Sequence, residues 1–224
     1  ETDATNLLTN PDFEQGITGW TGFKTVASQK WNDSQTKNMP TTGGTSTNTC
    51  AEAFSSPEFD LYQIVENAPV GVYEISVQGF CRNGRGDTAW NNYQNQTPYS
   101  QPGKFPVYVY LNAAQTPFVN VFSEPVSAGY YKSVNSSAEV YVNGELEFPD
   151  GMISSAIAFS GGMYIQKAYG LVAKAGDAMR IGVKGTSAGL DGEDDNWVIF
   201  DNFKLTWKGY QAAVIKPVLE EQIV

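Results

Sequence analysis

A chain of 224 residues, 41% hydrophobic and only 17% charged, is long enough to bury a sizeable core, and all-β sandwiches of this length are often one domain. A formal charge of −10 would repel a phosphate backbone, which sets nucleic acid aside as a partner, and no apolar run approaches the roughly 20 residues that span a bilayer. Histidine is absent, so Ser-His and Cys-His dyads and the usual transition-metal ligand are missing, and any chemistry would run on carboxylates, Lys or Tyr.

The 22 Gly, 11 Pro and 13% aromatics favour short strands joined by tight turns. The chain opens on polar residues without a visible signal peptide, as a mature or trimmed exported chain would. Residues 6–22 begin with a short apolar strand and turn at Asn10-Pro11. Phe13 and Trp20 read as core anchors, while Asp12 and Glu14 flank Phe13 on the opposite parity. Residues 23–28 form a plausible strand. Residues 29–48 then run polar, with Trp31 set among them.

Strand signals return at 50–54 and 59–65, and residues 72–82 alternate cleanly. Tyr73, Ile75, Val77 and Cys81 face one way; Glu74, Ser76, Gln78 and Arg82 face the other, as in a half-buried antiparallel strand. Residues 83–104 lack periodicity and exceed the usual loop length, which marks an ordered surface loop carrying Trp90, Asn92, Tyr93 and Tyr99. Further strands are predicted at 107–112, 118–122, 138–142, 163–173 and 179–184, with a short helix at 152–159 and a turn at 174–177. The acidic run 191–195 lacks the spacing of an EF-hand loop and reads as a solvated turn. Two cysteines, Cys50 and Cys81, are too few for a disulfide framework, and a single bridge and two buried thiols are both open.

The last strand, 196–207, is the clearest. Trp197, Ile199, Phe203, Leu205 and Trp207 share one parity and predict a core face, with Asp201 in the middle of the row. A carboxylate there needs hydrogen bonds, an ion pair or a bound cation. About ten or eleven strands at this spacing predict an all-β fold, two antiparallel sheets packed as a jelly-roll sandwich over residues 1–209. Residues 210–224, with Pro217 and two Glu, read as a linker towards a further domain.

Three segments carry a resemblance. N-L-L-T-N-P-D-F-E-Q-G-I-T-G-W, F-D-L-Y-Q-I-V-E-N-A-P-V-G-V-Y-E-I-S-V-Q-G-F-C-R and W-V-I-F-D-N-F-K-L-T-W-K-G together resemble the first, middle and last strands of jelly-roll carbohydrate-binding modules of the galactose-binding-like superfamily. The match spans residues 6–209 in order, with the loops differing. The resemblance implies a secreted, periplasmic or bacterial cell-surface module, fused or docked to an enzyme of a glycan-utilisation system. It also implies a structural Ca²⁺ tying the first and last strands, with Glu14 and Asp201 as carboxylate ligands and Asp12 and main-chain carbonyls completing the six to eight oxygens. Fold is implied more firmly than ligand.

Neutral sugars are held by a flat aromatic against their C–H face and amide, hydroxyl or guanidinium groups at their edge. Trp90, Asn92, Tyr93 and Tyr99 offer that mixture, Arg82 adds a forked donor and Trp31 a second platform; the alternative is that these aromatics plug the sandwich ends. In such folds ligands bind at the loop tips or across a concave sheet face, and where the aromatics fall predicts non-catalytic binding through loops at one end of the sandwich. Two other classes stand beside carbohydrate binding. A glycoside hydrolase or lyase would need two carboxylates at fixed separation, for which Asp87, Glu124 and Glu193 are candidates without a pairing. A protein-interaction or adhesion module would use the same aromatics as anchors, the tripeptide Arg85-Gly86-Asp87 being too short to weigh.

Overall fold

The computed structural model describes residues 1–24, 26–31, 36–40, 47–55, 58–95, 106–186 and 196–210. Its first half gives β1 (Thr2–Asp3), β2 (Thr21–Lys24), β3 (Val26–Lys30), β4 (Thr36–Pro40), β5 (Thr47–Phe54), β6 (Phe59–Val65) and β7 (Gly71–Arg82). There follow α1 (Gly86–Gln94), β8 (Val107–Leu111), β9 (Ala114–Pro117), β10 (Val126–Ser127), α2 (Tyr130–Val134), β11 (Val140–Asn143) and β12 (Leu146–Pro149). The chain then runs through α3 (Met152–Ser160), β13 (Ile165–Val172), β14 (Met179–Gly185) and β15 (Trp197–Gly209).

One sheet has the order β13-β7-β15-β5-β4, with β1 also pairing β15, and the facing sheet the order β3-β2-β6-β14-β8-β9. Among the described residues the strands of these two sheets pair antiparallel. Numbering β5 to β9 and β13 to β15 from one to eight, the sheets read 1-8-3-6 and 2-7-4-5. The chain thus crosses between sheets almost every strand, which is the connectivity of a jelly roll. Between the sheets lies a core that includes Phe13, Trp20, Phe59, Tyr73, Ile75, Phe118, Phe200 and Phe203.

The outer face of the first sheet is not all surface. A second layer, built from α1, α2, α3 and the small sheet β10-β12-β11, covers one end of it. Phe80 of β7 and Trp197 and Ile199 of β15 are buried beneath this layer with Tyr164, Ile157 and Phe159. The polar face predicted for β7 is exposed only in part: Arg82 is buried under this layer, Ser76 and Gln78 are half-buried, and Glu74 at the far end is buried against Lys167, Tyr169 and Lys208. Phe80, an aromatic on the predicted outer parity, is the sequence sign of this layer.

Strand β15 departs from its predicted single core face. Its register against β7 shifts by one residue between Asp201 and Lys204, and Asn202 sits there at φ 57°. That is a β-bulge with its extra residue left-handed. Val198, Phe200, Phe203 and Leu205 face the sandwich core, whereas Trp197 and Ile199 belong to the second layer. The two cysteines are free, Cys50 in the second layer and Cys81 in the sandwich core.

Three further expectations change. The opening segment makes a 3₁₀ turn at Thr5–Leu7 instead of a strand, and 118–122 ends in another at Val121–Ser123, where the Asn120 side chain accepts from the Phe122 N–H at 3.1 Å. Residues 86–94 of the predicted loop are helical: Trp90 and Tyr93 fall three apart on one face beside buried Ala89, and Asp87 lies in the first turn, where the helix dipole favours a carboxylate. Asparagines that favour turns masked that period. The predicted helix at 152–159 forms as α3. Residues 211–224 and the acidic run 191–195 lie outside the described residues.

Gly79 measures how closely β7 and β15 approach. A Cβ there would lie 2.6 Å from the Ile199 carbonyl oxygen, 2.8 Å from the Phe200 Cβ and 2.9 Å from the Phe118 ring. Gly79→Ala is expected to destabilise the fold by about 1–3 kcal/mol. Urea unfolding with a lowered midpoint and unchanged slope is the expected result, and an unchanged midpoint would show that β15 can yield.

Candidate functional site

The predicted loop aromatics converge on the second layer. Trp90 of α1 packs with its ring centroid 5.2 Å from Phe122, 5.6 Å from Phe148, 6.1 Å from Tyr93 and 6.2 Å from Tyr141. Phe122 and Phe148 are buried and form the floor, whereas Trp90, Tyr93 and Tyr141 are half-buried and form its outer rim. The Tyr141 hydroxyl donates to Asp87 Oδ1 at 2.9 Å and accepts from Asn143 Nδ2 at 3.5 Å. Asn92 lies on the same helix, its Nδ2 donating to the Asn83 carbonyl at 3.2 Å. Rings with polar groups at their edge are what a sugar face or an apolar partner side chain requires. Sequence reasoning misses Tyr141 because it lies 47 residues beyond the end of α1, and the pairing of β11 with β12 brings it alongside.

The other predicted ligand residues separate from this group. Trp31 is 3% exposed and packs between Phe59 and Phe200 in the sandwich core, so its polar sequence neighbours misled and it is no platform. Arg82 is buried, forms an ion pair with Asp150 and lies 4.7 Å over the Trp197 ring, which takes it out of reach of an edge-on sugar. Its predicted outward position fails because the second layer covers that end of β7. Tyr99 lies outside the described residues. Of the candidate catalytic carboxylates, Asp87 is bonded to Tyr141 and Glu124 accepts the Tyr164 N–H at 2.9 Å; Glu193 is outside the described residues.

Asp201 is fully buried at the bulge. Its Oδ1 accepts the Asn202 N–H at 2.7 Å and its Oδ2 accepts Asn48 Nδ2 at 3.2 Å, both neutral donors. Among the described residues no Lys or Arg pairs with it. Burial pushes its carboxyl up to about 8, and the Glu14 and Asp12 carboxylates push the same way. Glu14 is exposed and accepts the Thr49 N–H at 2.7 Å. These residues fit a cation in sign, since a buried carboxylate near two others lacks positive charge. Among the described residues no three His, Cys, Asp or Glu side chains form a ready metal cluster, so main-chain carbonyls would complete any shell.

No protein-family model and no curated protein matches the chain. Among solved structures, the chain is similar to TmCBM61, a carbohydrate-binding module solved in complex with β-1,4-galactotriose. The TM-score is 0.41 at 15% identity, over 90% of this chain and 98% of that one.

The Asp201 environment makes stability depend on pH. An unfolded Asp releases its proton near 3.9, whereas the folded chain holds this one to about 8. Between these values the native state binds a proton the unfolded state lacks, so this group's contribution to stability falls as pH rises from about 4 to about 8. In chelated buffer the wild type is expected to lose more melting temperature over that window than Asp201→Asn. Parallel curves for the two proteins would remove the assignment.

Proposed function

We propose that this chain is a non-catalytic carbohydrate-binding β-sandwich, an accessory module of a secreted or cell-surface glycan-utilisation system. The observation that carries the reading is the half-buried trio Trp90, Tyr93 and Tyr141, with Asp87, Asn92 and Asn143 beside it. A ring held by a packed floor loses little entropy on binding, and hydrogen-bonding groups at its edge orient a hydroxylated ligand. The ligand surface is thus the outer side of the second layer, and Arg82 and Trp31 have no part in it.

The proposal includes a structural Ca²⁺ between Asp201 and the Glu14 segment. When bound, the ion supplies the positive charge that the buried carboxylate lacks and ties the start of the chain to β15. Support comes from the burial of Asp201, its neutral hydrogen-bond donors and the nearby Glu14 and Asp12 charges. Adding Ca²⁺ to the chelated protein at about pH 8 is expected to raise the melting temperature of the wild type and leave Asp201→Asn unmoved. An equal response in both proteins would place any ion elsewhere.

Tyr141 and Trp90 both pack against Phe122 and Phe148, so a variant at either position is read by affinity and melting temperature together. Intrinsic fluorescence titrated with a panel of neutral polysaccharides and oligosaccharides is expected to saturate with one glycan class. Tyr141→Ala should then weaken binding about tenfold, the scale of one aromatic contact, while a cooperative melting transition persists. A chain blind to every glycan would turn the reading to protein interaction, for which exposed Tyr130, Val134, Val142 and Leu146 of the same layer are the first residues to change.

A further inference from the structure

The second layer ends half-way along the outer face of the first sheet, and the step it leaves there is a cleft of about 190 Å³. Ser76, Gln78, Ser160, Ile165, Asn202 and Lys204 are among its lining residues. At about 30 Å³ per water in the liquid, that volume holds roughly six waters, close to one sugar ring and well short of a chain.

The floor of the cleft is fixed. Gln78 Nε2 donates to the Phe159 carbonyl at 2.8 Å and the Met163 carbonyl at 3.1 Å, and its Oε1 accepts Asn202 Nδ2 at 2.9 Å. The bulge holds Asn202 there at φ 57°, a conformation that few side chains tolerate, and bulges of this kind often re-aim a side chain beside a site.

Above the floor, polar groups are unused. Among the described residues the Ser76 and Ser160 hydroxyls have no hydrogen-bond partner. Lys204 is exposed and makes no ion pair among those residues, although exposed Asp3 senses its charge. Among the described residues no carboxylate lines the cleft, in a chain whose net charge is −10. Across the strands Ser76 sits in register between Lys167 and Lys204, with Lys167 held 2.8 Å from Glu74. Ile165, 50% exposed, supplies an apolar wall.

We propose that this cleft binds one acidic sugar unit, a uronic acid: Lys204 meets the carboxylate, Ser76, Ser160 and the Asn202 amide meet hydroxyls, and Ile165 lies against the C–H face. The hydroxylated part of the ligand rests on the glycan reading above; the anionic part rests on Lys204 and the carboxylate-free lining alone.

Amide chemical shifts followed by NMR during titration with digalacturonate test it, with a neutral disaccharide and acetate as controls. Expected are saturating shifts at Ser76, Gly162 and Asn202 with digalacturonate only. Lys204→Gln, a change at an exposed position, should weaken that response about tenfold, the scale of one charged hydrogen bond, and Tyr141→Ala should leave it unmoved. Absent shifts at those amides, unchanged affinity in Lys204→Gln, or an equal response to either control would overturn the site. If digalacturonate binds through Lys204 while no neutral glycan responds to Tyr141→Ala, the aromatic surface is lost and the cleft stands; the reverse pattern removes the cleft alone.

Discussion

Strand β15 must serve two interiors at once, and the bulge at Asp201–Asn202 is what allows it. A regular strand sends alternate residues to opposite faces along its whole length. With the extra residue, Phe203 and Leu205 face the sandwich core that Phe200 faces, and Lys204 comes out on the sheet face beyond the second layer. A left-handed non-glycine residue typically costs about 1–3 kcal/mol, less where Asn can bond locally, and the surrounding packing has to hold it. On one side of the bulge lies a buried carboxylate, on the other an amide facing a cleft. Both local features follow from the same inserted residue.

Three acids of this chain, Asp150 half-buried and Glu147 and Asp201 buried, show how differently a carboxylate can be accommodated. Asp150 is paired with Arg82 beneath the second layer. Glu147, 1% exposed, accepts N–H groups of Gly129 and Tyr131 at the start of α2. Asp201 has neutral donors and two neighbouring carboxylates. The first is paired with a guanidinium and the second with main-chain N–H groups, whereas the third keeps two like charges nearby.

The sandwich was legible in the sequence because its signals are local. Residues 59–65, 72–82 and 179–184 alternate, and the strands observed there agree to within a residue or so. The second layer was less legible because it is assembled from two separate connections, one after β7 and one after β9, whose short elements bury their apolar residues only against each other. Trp90 and Tyr93 could be named as candidates from their setting, but Tyr141, Phe122 and Phe148 could not be joined to them without long-range pairing. Trp31 and Arg82 differ from expectation for two other reasons: polar sequence neighbours say little about Trp31, which the fold turns inward, and the parity that aims Arg82 outward does not show the layer that covers it. The parity of β15 broke at a single residue, which a periodicity argument cannot foresee.

The two cysteines divide along the same partition. Cys50 lies under the second layer and Cys81 inside the sandwich, and burial raises both thiols well above their ordinary range, so each is unreactive while covered. Neither can react until the layer above it opens. The chain thus carries a native reporter for each interior. Modification at Cys50 tracks lifting of the outer layer, and modification at Cys81 tracks opening of the sandwich. Whether these openings happen together or in sequence is written in the relative rates of two thiols the protein already has.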